Sequence, residues 1–140
     1  MEKILEKLKN LLLAQEHSCV FGDEETYFYS DLKGIKPLMQ FIQEGKKGYY
    51  VADKIVGKAA AYLFILLEVK AIYADTISVA GLKVLEDNNI PVYYRQLVEY
   101  IINRTGDDMC PMEKTVKDID DPKLAHQALA EKIKEMQVKK

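Results

Sequence analysis

The chain has 140 residues, 49% hydrophobic and 30% charged, which is the length and composition of one globular domain with one core. Twenty Lys and Arg against 22 Asp and Glu leave a net charge of −2, so no global basic field points to nucleic acid. Two cysteines, Cys19 and Cys110, and two histidines, His17 and His126, are too few and too scattered for a zinc site of the usual type.

The first element is a helix over Met1–Ala14, with Ile4, Leu5, Leu8, Leu11 and Leu12 on one face between lysines and glutamates. This start is amphipathic and not of signal-peptide type, and no apolar run is long enough to span a bilayer. Free thiols and a cytoplasmic location are therefore expected. Ser18–Phe21 and Thr26–Ser30 read as two strands of a hairpin, turning at Gly22-Asp23-Glu24-Glu25. Pro37 opens a second helix whose apolar face is Leu38, Met39, Phe41 and Ile42.

The segment Ala52–Leu67 then reads as one long helix, with Asp53 as its cap and Gly57 as an isolated break. Beyond Lys58 it is apolar all round, as a buried helix is. Val69–Ala74 is the next strand, Asp75–Ser78 a break, and Val79–Asn88 a helix burying Val79, Leu82, Val84 and Leu85. Pro91–Tyr94 is a strand, Leu97–Ile102 leans towards strand, and Asn103–Asp108 is a polar loop. A short helix opens at Cys110-Pro111-Met112-Glu113, and a last one runs Lys123–Val138 along Leu124, Ala128, Leu129, Ile133 and Met136. Helices alternating with about five strands predict a three-layer α/β/α sandwich. Its sheet is mixed, with the hairpin at one edge and residues 1–15 and 122–140 as peripheral helices of a single domain.

In such a sheet ligands collect where strands end and helices begin. Three starts carry candidate residues. At Asp53-Lys54 the lysine would hold an anionic or carbonyl group, the alternative being a plain cap beside a solvated lysine. At Asp75 and Ser78 the alternative is a turn and cap. At Cys110 and Glu113, Pro111 places the thiol at the N-cap, where the helix dipole lowers its pKa, while Asp107 and Asp108 oppose this. A buried structural cysteine with Glu113 as a local cap is the alternative there. Asn103-Arg104 either binds an anion or ties down its loop.

The strings Ala52-Asp53-Lys54-Ile55-Val56-Gly57-Lys58-Ala59-Ala60-Ala61 and Cys110-Pro111-Met112-Glu113, with Ile77-Ser78 and Asn103-Arg104, resemble the DUF1893 family of prokaryotic proteins. The resemblance runs from about Cys19 to Val116 and implies a cytidine-deaminase-like fold with a cleft at the N-termini of two central helices. Zinc deaminases carry H-x-E or C-x-E on the first helix and P-C-x-x-C on the second. Ala52-Asp53-Lys54 and Asp75-Thr76-Ile77-Ser78 are the matching positions here, and they lack those ligands.

The expectation is a deaminase-fold protein with no zinc and no other cofactor. It binds, and in one version transforms, a nucleotide-like or amide- or carbonyl-containing small molecule. Asp53, Lys54, Cys110 and Glu113 are the catalytic candidates; Ser78, Asp75, Asn103 and Arg104 are the ligand-binding ones. The alternatives are a non-catalytic binding or protein-interaction module, and a homodimer built through the terminal helices. Membrane and nucleic-acid partners are not expected.

Overall fold

The computed structural model describes residues 1–103 and 105–138. Five strands form one sheet: β1 (Cys19–Gly22), β2 (Tyr27–Ser30), β3 (Tyr50–Val56), β4 (Ile72–Ser78) and β5 (Val92–Val98), in the order β2-β1-β3-β4-β5. β1 pairs antiparallel with both β2 and β3, while β3, β4 and β5 run parallel. The hairpin turn is closed by the Asp23 carboxylate, which accepts from the amides of Glu25 and Thr26, each at 2.9 Å.

Helices cover both faces, as the three-layer reading requires. One face carries α1 (Lys3–Ala14), whose Leu5, Leu8 and Leu12 are fully buried against Val20, Ala52, Ala71 and Tyr73. The other carries α2 (Lys36–Gln43), α3 (Lys58–Leu66), α4 (Val79–Asp87), α5 (Pro111–Val116) and α6 (Pro122–Val138), packed over the larger core of Phe21, Val51, Ile72 and Ile77. Ala125 and Leu129 are the fully buried positions of α6, whereas Leu124 and Met136, expected on its buried stripe, are exposed. No helix among the described residues is long and apolar enough to cross a membrane.

The expected helix over Ala52–Leu67 is two elements. Its first half is β3, the middle strand of the sheet, and only Lys58–Leu66 is helical. Asp53 therefore caps nothing. Tyr50, Val51, Ile55 and Val56 favour strand, and pairing on both sides with β1 and β4 decides the matter over the helix propensity of Ala52 and Lys54. Gly57, read as a flaw within a helix, is the strand-to-helix junction and the N-cap of α3. That α3 is buried all round holds, since Ala59 to Phe64 are at most 5% exposed.

Two further differences follow the same cause. The Asp75–Ser78 break is the second half of β4, and β5 joins the Pro91–Tyr94 strand to the start of the next apolar run. Ile102 retains only a single bridge, to Met109. Val79 is 51% exposed instead of buried, because it occupies the first position of α4 and faces away from the core that Leu85 enters.

Candidate functional site

The parallel strands β3 and β4 each lead directly into a helix, so the N-termini of α3 and α4 lie side by side at the same end of the sheet. Their approach is very close. A Cβ added to Gly81, in the first turn of α4, would lie 2.9 Å from the carbonyl of Gly57 and 3.2 Å from Ser78 Oγ. Ser78 caps α4 conventionally, its hydroxyl accepting from the Gly81 amide at 3.0 Å.

α3 is capped differently. Gly57 has no side chain to offer, and the cap arrives from α5. The Glu113 carboxylate accepts from the Lys58 amide at 2.7 Å and from the Ala59 amide at 2.9 Å, one per oxygen. Gly57 is needed for this arrangement, since a Cβ there would stand 2.2–2.7 Å from the Glu113 carboxyl atoms. Glu113 is 8% exposed. Burial raises its pKa, while the two amides and the charge of Lys58 pull it back down.

A cleft of about 140 Å³ opens over these two helix starts, lined by Lys58, Ser78, Glu99, Tyr100, Glu113 and Lys117, among others. Lys58 is held in place by its ammonium, which donates to the Lys117 carbonyl at 2.9 Å. The phenol of Tyr62, one helical turn further on, donates to the Ile119 carbonyl at 2.7 Å. Together these contacts bind α3 to the α5–α6 connection, which forms one wall.

The residues expected to form one site are distributed over several places. Ser78 and Glu113 meet in the cleft. Cys110 is the N-cap of α5, half-buried and one turn before Glu113, but its thiol makes no cap and does not line the cleft. Glu113 does not close a local capping box; the Cys110 amide donates instead to the Ile101 carbonyl at 2.8 Å. Asp53 is buried in β3 opposite Cys19 of β1, and its carboxyl is pushed up to about 7 by burial. The same burial, with the nearby Asp53, raises the Cys19 thiol.

Lys54 and Asp75 are neighbours on β3 and β4. Asp75 pairs with Arg95 (2.9 Å) and accepts from the Tyr73 phenol (3.1 Å). Tyr73 packs under α1, so this group belongs to the sheet face opposite the cleft. Asn103 ties down its own loop, its carbonyl oxygen accepting from the amides of Gly106 and Asp107. Arg104 lies outside the described residues.

Lys58, Glu99, Tyr100 and Lys117 were not anticipated as cleft residues. Lys58 alone gave a signal, as the last charge before an apolar run. Among the described residues no group of three or more His, Cys, Asp or Glu side chains is placed to hold a metal ion.

The molecule is thus an open mixed-sheet α/β sandwich with a small cleft of mixed charged and apolar lining at paired helix starts. It belongs to the DUF1893 family, a domain of unknown function whose profile matches residues 7–133. A crystal structure of a DUF1893 family protein, TM1506 from Thermotoga maritima, superposes with a TM-score of 0.88 at 27% identity, covering 94% of this chain and 92% of that one. No curated protein matches the chain.

Proposed function

We propose that the protein binds a small polar molecule bearing an amide or nucleobase-like edge in the cleft at the N-termini of α3 and α4, with Glu113 as the group that reads it. The observation that carries this reading is the buried Glu113 carboxylate at the cleft floor. Each of its oxygens spends one acceptor position on a backbone amide of α3 and has a second left over. Two parallel acceptors suit a ligand edge with two N–H donors. In its protonated form, which burial favours, the carboxyl suits the donor–acceptor edge of an amide. Lys58 and Lys117 supply cationic character for a carbonyl oxygen, and Tyr100 an aromatic surface. A cleft of about 140 Å³ is well below the ~300–1,000 Å³ of drug-sized sites. It suits one heterocyclic ring or a short amide better than a whole nucleotide.

The strand order, with two adjacent parallel strands feeding the helices of the cleft, supports a deaminase-like arrangement. In that arrangement the helix starts are Gly57-Lys58-Ala59 and Ser78-Val79-Ala80, and neither carries the His or Cys set by which zinc deaminases hold their metal. Binding is therefore the leading role.

The test is native mass spectrometry of the purified chain against a panel of nucleobases and small amides. Retention by the wild type and its loss in Glu113→Ala support the reading. Retention indifferent to Glu113→Ala, or no retention from the panel, defeats it.

A further inference from the structure

On the opposite face of the sheet, adjacent positions of β3, β4 and β5 carry Lys54, Asp75 and Arg95, bracketed by the registered rows Asp53–Ala74–Tyr94 and Ile55–Thr76–Gln96. Strands lie about 4.8 Å apart, so the two flanking cations start roughly 10 Å from one another and can converge on one small group above Asp75. Lys9 of α1 adds a third cation, its ammonium 5.0 Å from the centre of the Tyr73 ring, whose hydroxyl donates to Asp75. Arg95 and Lys54 thus flank one carboxylate while Lys9 stands over the ring of the tyrosine bonded to it, and the four charged groups sum to +2 in a chain whose total is −2.

Asp75 does not exhaust these groups. It takes the Nε–H and one terminal N–H of Arg95, at 2.9 and 3.2 Å, and the other three guanidinium N–H groups have no partner among the described residues. Lys54 feels Asp75 electrostatically but forms no ion pair with it. The site is open, because α1 packs mainly over β1 and β3 and leaves the outer strands beside it uncovered; the Arg95 side chain is 60% exposed.

We propose that Lys9, Lys54 and Arg95 form a binding site for a phosphate group. A dianion with three terminal oxygens matches the charge excess, of which a single carboxylate would satisfy half, and offers an acceptor to each of the three cations. Asp75 holds the Arg95 fork in place and keeps the cluster from self-repulsion while the site is empty. A free phosphate and a phosphate ester present the same oxygens. The site lies on the other side of the sheet from the Glu113 cleft and stands independently of what that cleft binds.

The experiment is a titration of the ¹⁵N-labelled full chain with pyrophosphate at low ionic strength and pH 7, with chloride at matched ionic strength as control, repeated with inorganic phosphate and a nucleoside monophosphate. Saturable shifts at the amides around Lys9, Lys54 and Arg95 are expected, with affinity about tenfold weaker in Lys54→Ala and in Arg95→Ala, the effect of one lost charge-assisted contact. The unperturbed spectrum of each variant shows that it remains folded, and Lys54→Ala carries the test should Arg95→Ala not fold. Tighter binding of the nucleoside monophosphate than of inorganic phosphate assigns the site to an ester, and the reverse to the free ion. Absence of saturable shifts, affinity equal to wild type in both variants, or shifts confined to Lys58, Ala59 and Ser78 overturns the proposal.

Discussion

At the scale of single residues, two buried carboxyls set how the protein responds to pH. Asp53 titrates near 7 in the fold, against 3.8 for an ordinary aspartate, so between those values the folded state holds a proton that the unfolded chain has released. The contribution of Asp53 to stability is then fully present below about pH 4 and falls as the pH rises towards 7, with no further loss above that. Glu113, raised by burial, contributes with the same sign. Asp53→Asn, which mimics the protonated form, is expected to flatten this fall and to stabilise the protein at pH 8 by up to about 4 kcal/mol. Urea unfolding of both proteins at pH 4, 6 and 8 measures it; parallel pH profiles would show that Asp53 is not the group concerned.

Gly57 and Glu113 act as a pair. Glu113→Ala leaves two buried amides of α3 without a partner and is expected to cost about 1–3 kcal/mol. Gly57→Ala drives a methyl into the same carboxylate and should cost a similar amount. In the double variant the clash no longer exists, so the two losses should fall short of additive by about 1 kcal/mol or more. Full additivity in denaturant titrations would mean that the carboxylate is not seated against Gly57.

Elements differ in how openly the sequence declares them. α1, the hairpin, α2, α4 and α6 are legible because local pattern and tertiary role agree: amphipathic spacing for the helices, β-branched and aromatic residues for the strands. The β3–α3 boundary is not, because a fully buried strand followed by a fully buried helix presents one unbroken apolar run with no change of period to mark the switch. Gly57 was the available punctuation.

The site suffered from the same error. With Asp53 and Lys54 placed on a helix start, they drew attention from Lys58, which occupies that start in the fold. Glu113 reads from the sequence either as a general base or as a local cap, and in the fold its carboxylate caps a remote helix. Nothing in its spacing to Pro111 shows that its carboxylate closes a helix 55 residues earlier. Ser78 was legible, since an N-cap serine is a local signal that tertiary structure left alone.

At the scale of the whole molecule, the two faces of the sheet have unequal cover. One helix, α1, buries the entire second core through three leucines, and no other helix among the described residues can replace it. Leu8→Ala is expected to cost about 2–5 kcal/mol, whereas Met136→Ala, at an exposed position of α6, should stay within about 0.5 kcal/mol. Thermal denaturation of the two variants compares them directly, and similar melting temperatures would mean that α1 is not integral to the domain.

The remote cap on α3 also fixes an order of events in time. The first turn of α3 cannot complete its hydrogen bonding until the α5 segment has arrived from the far end of the chain, a closure that is late when non-local contacts limit the rate. Stopped-flow kinetics should therefore find Glu113→Ala unfolding faster than the wild type while refolding at nearly the same rate, the signature of a contact formed after the rate-limiting barrier. That outcome would place the cleft floor among the parts of the molecule assembled after the barrier.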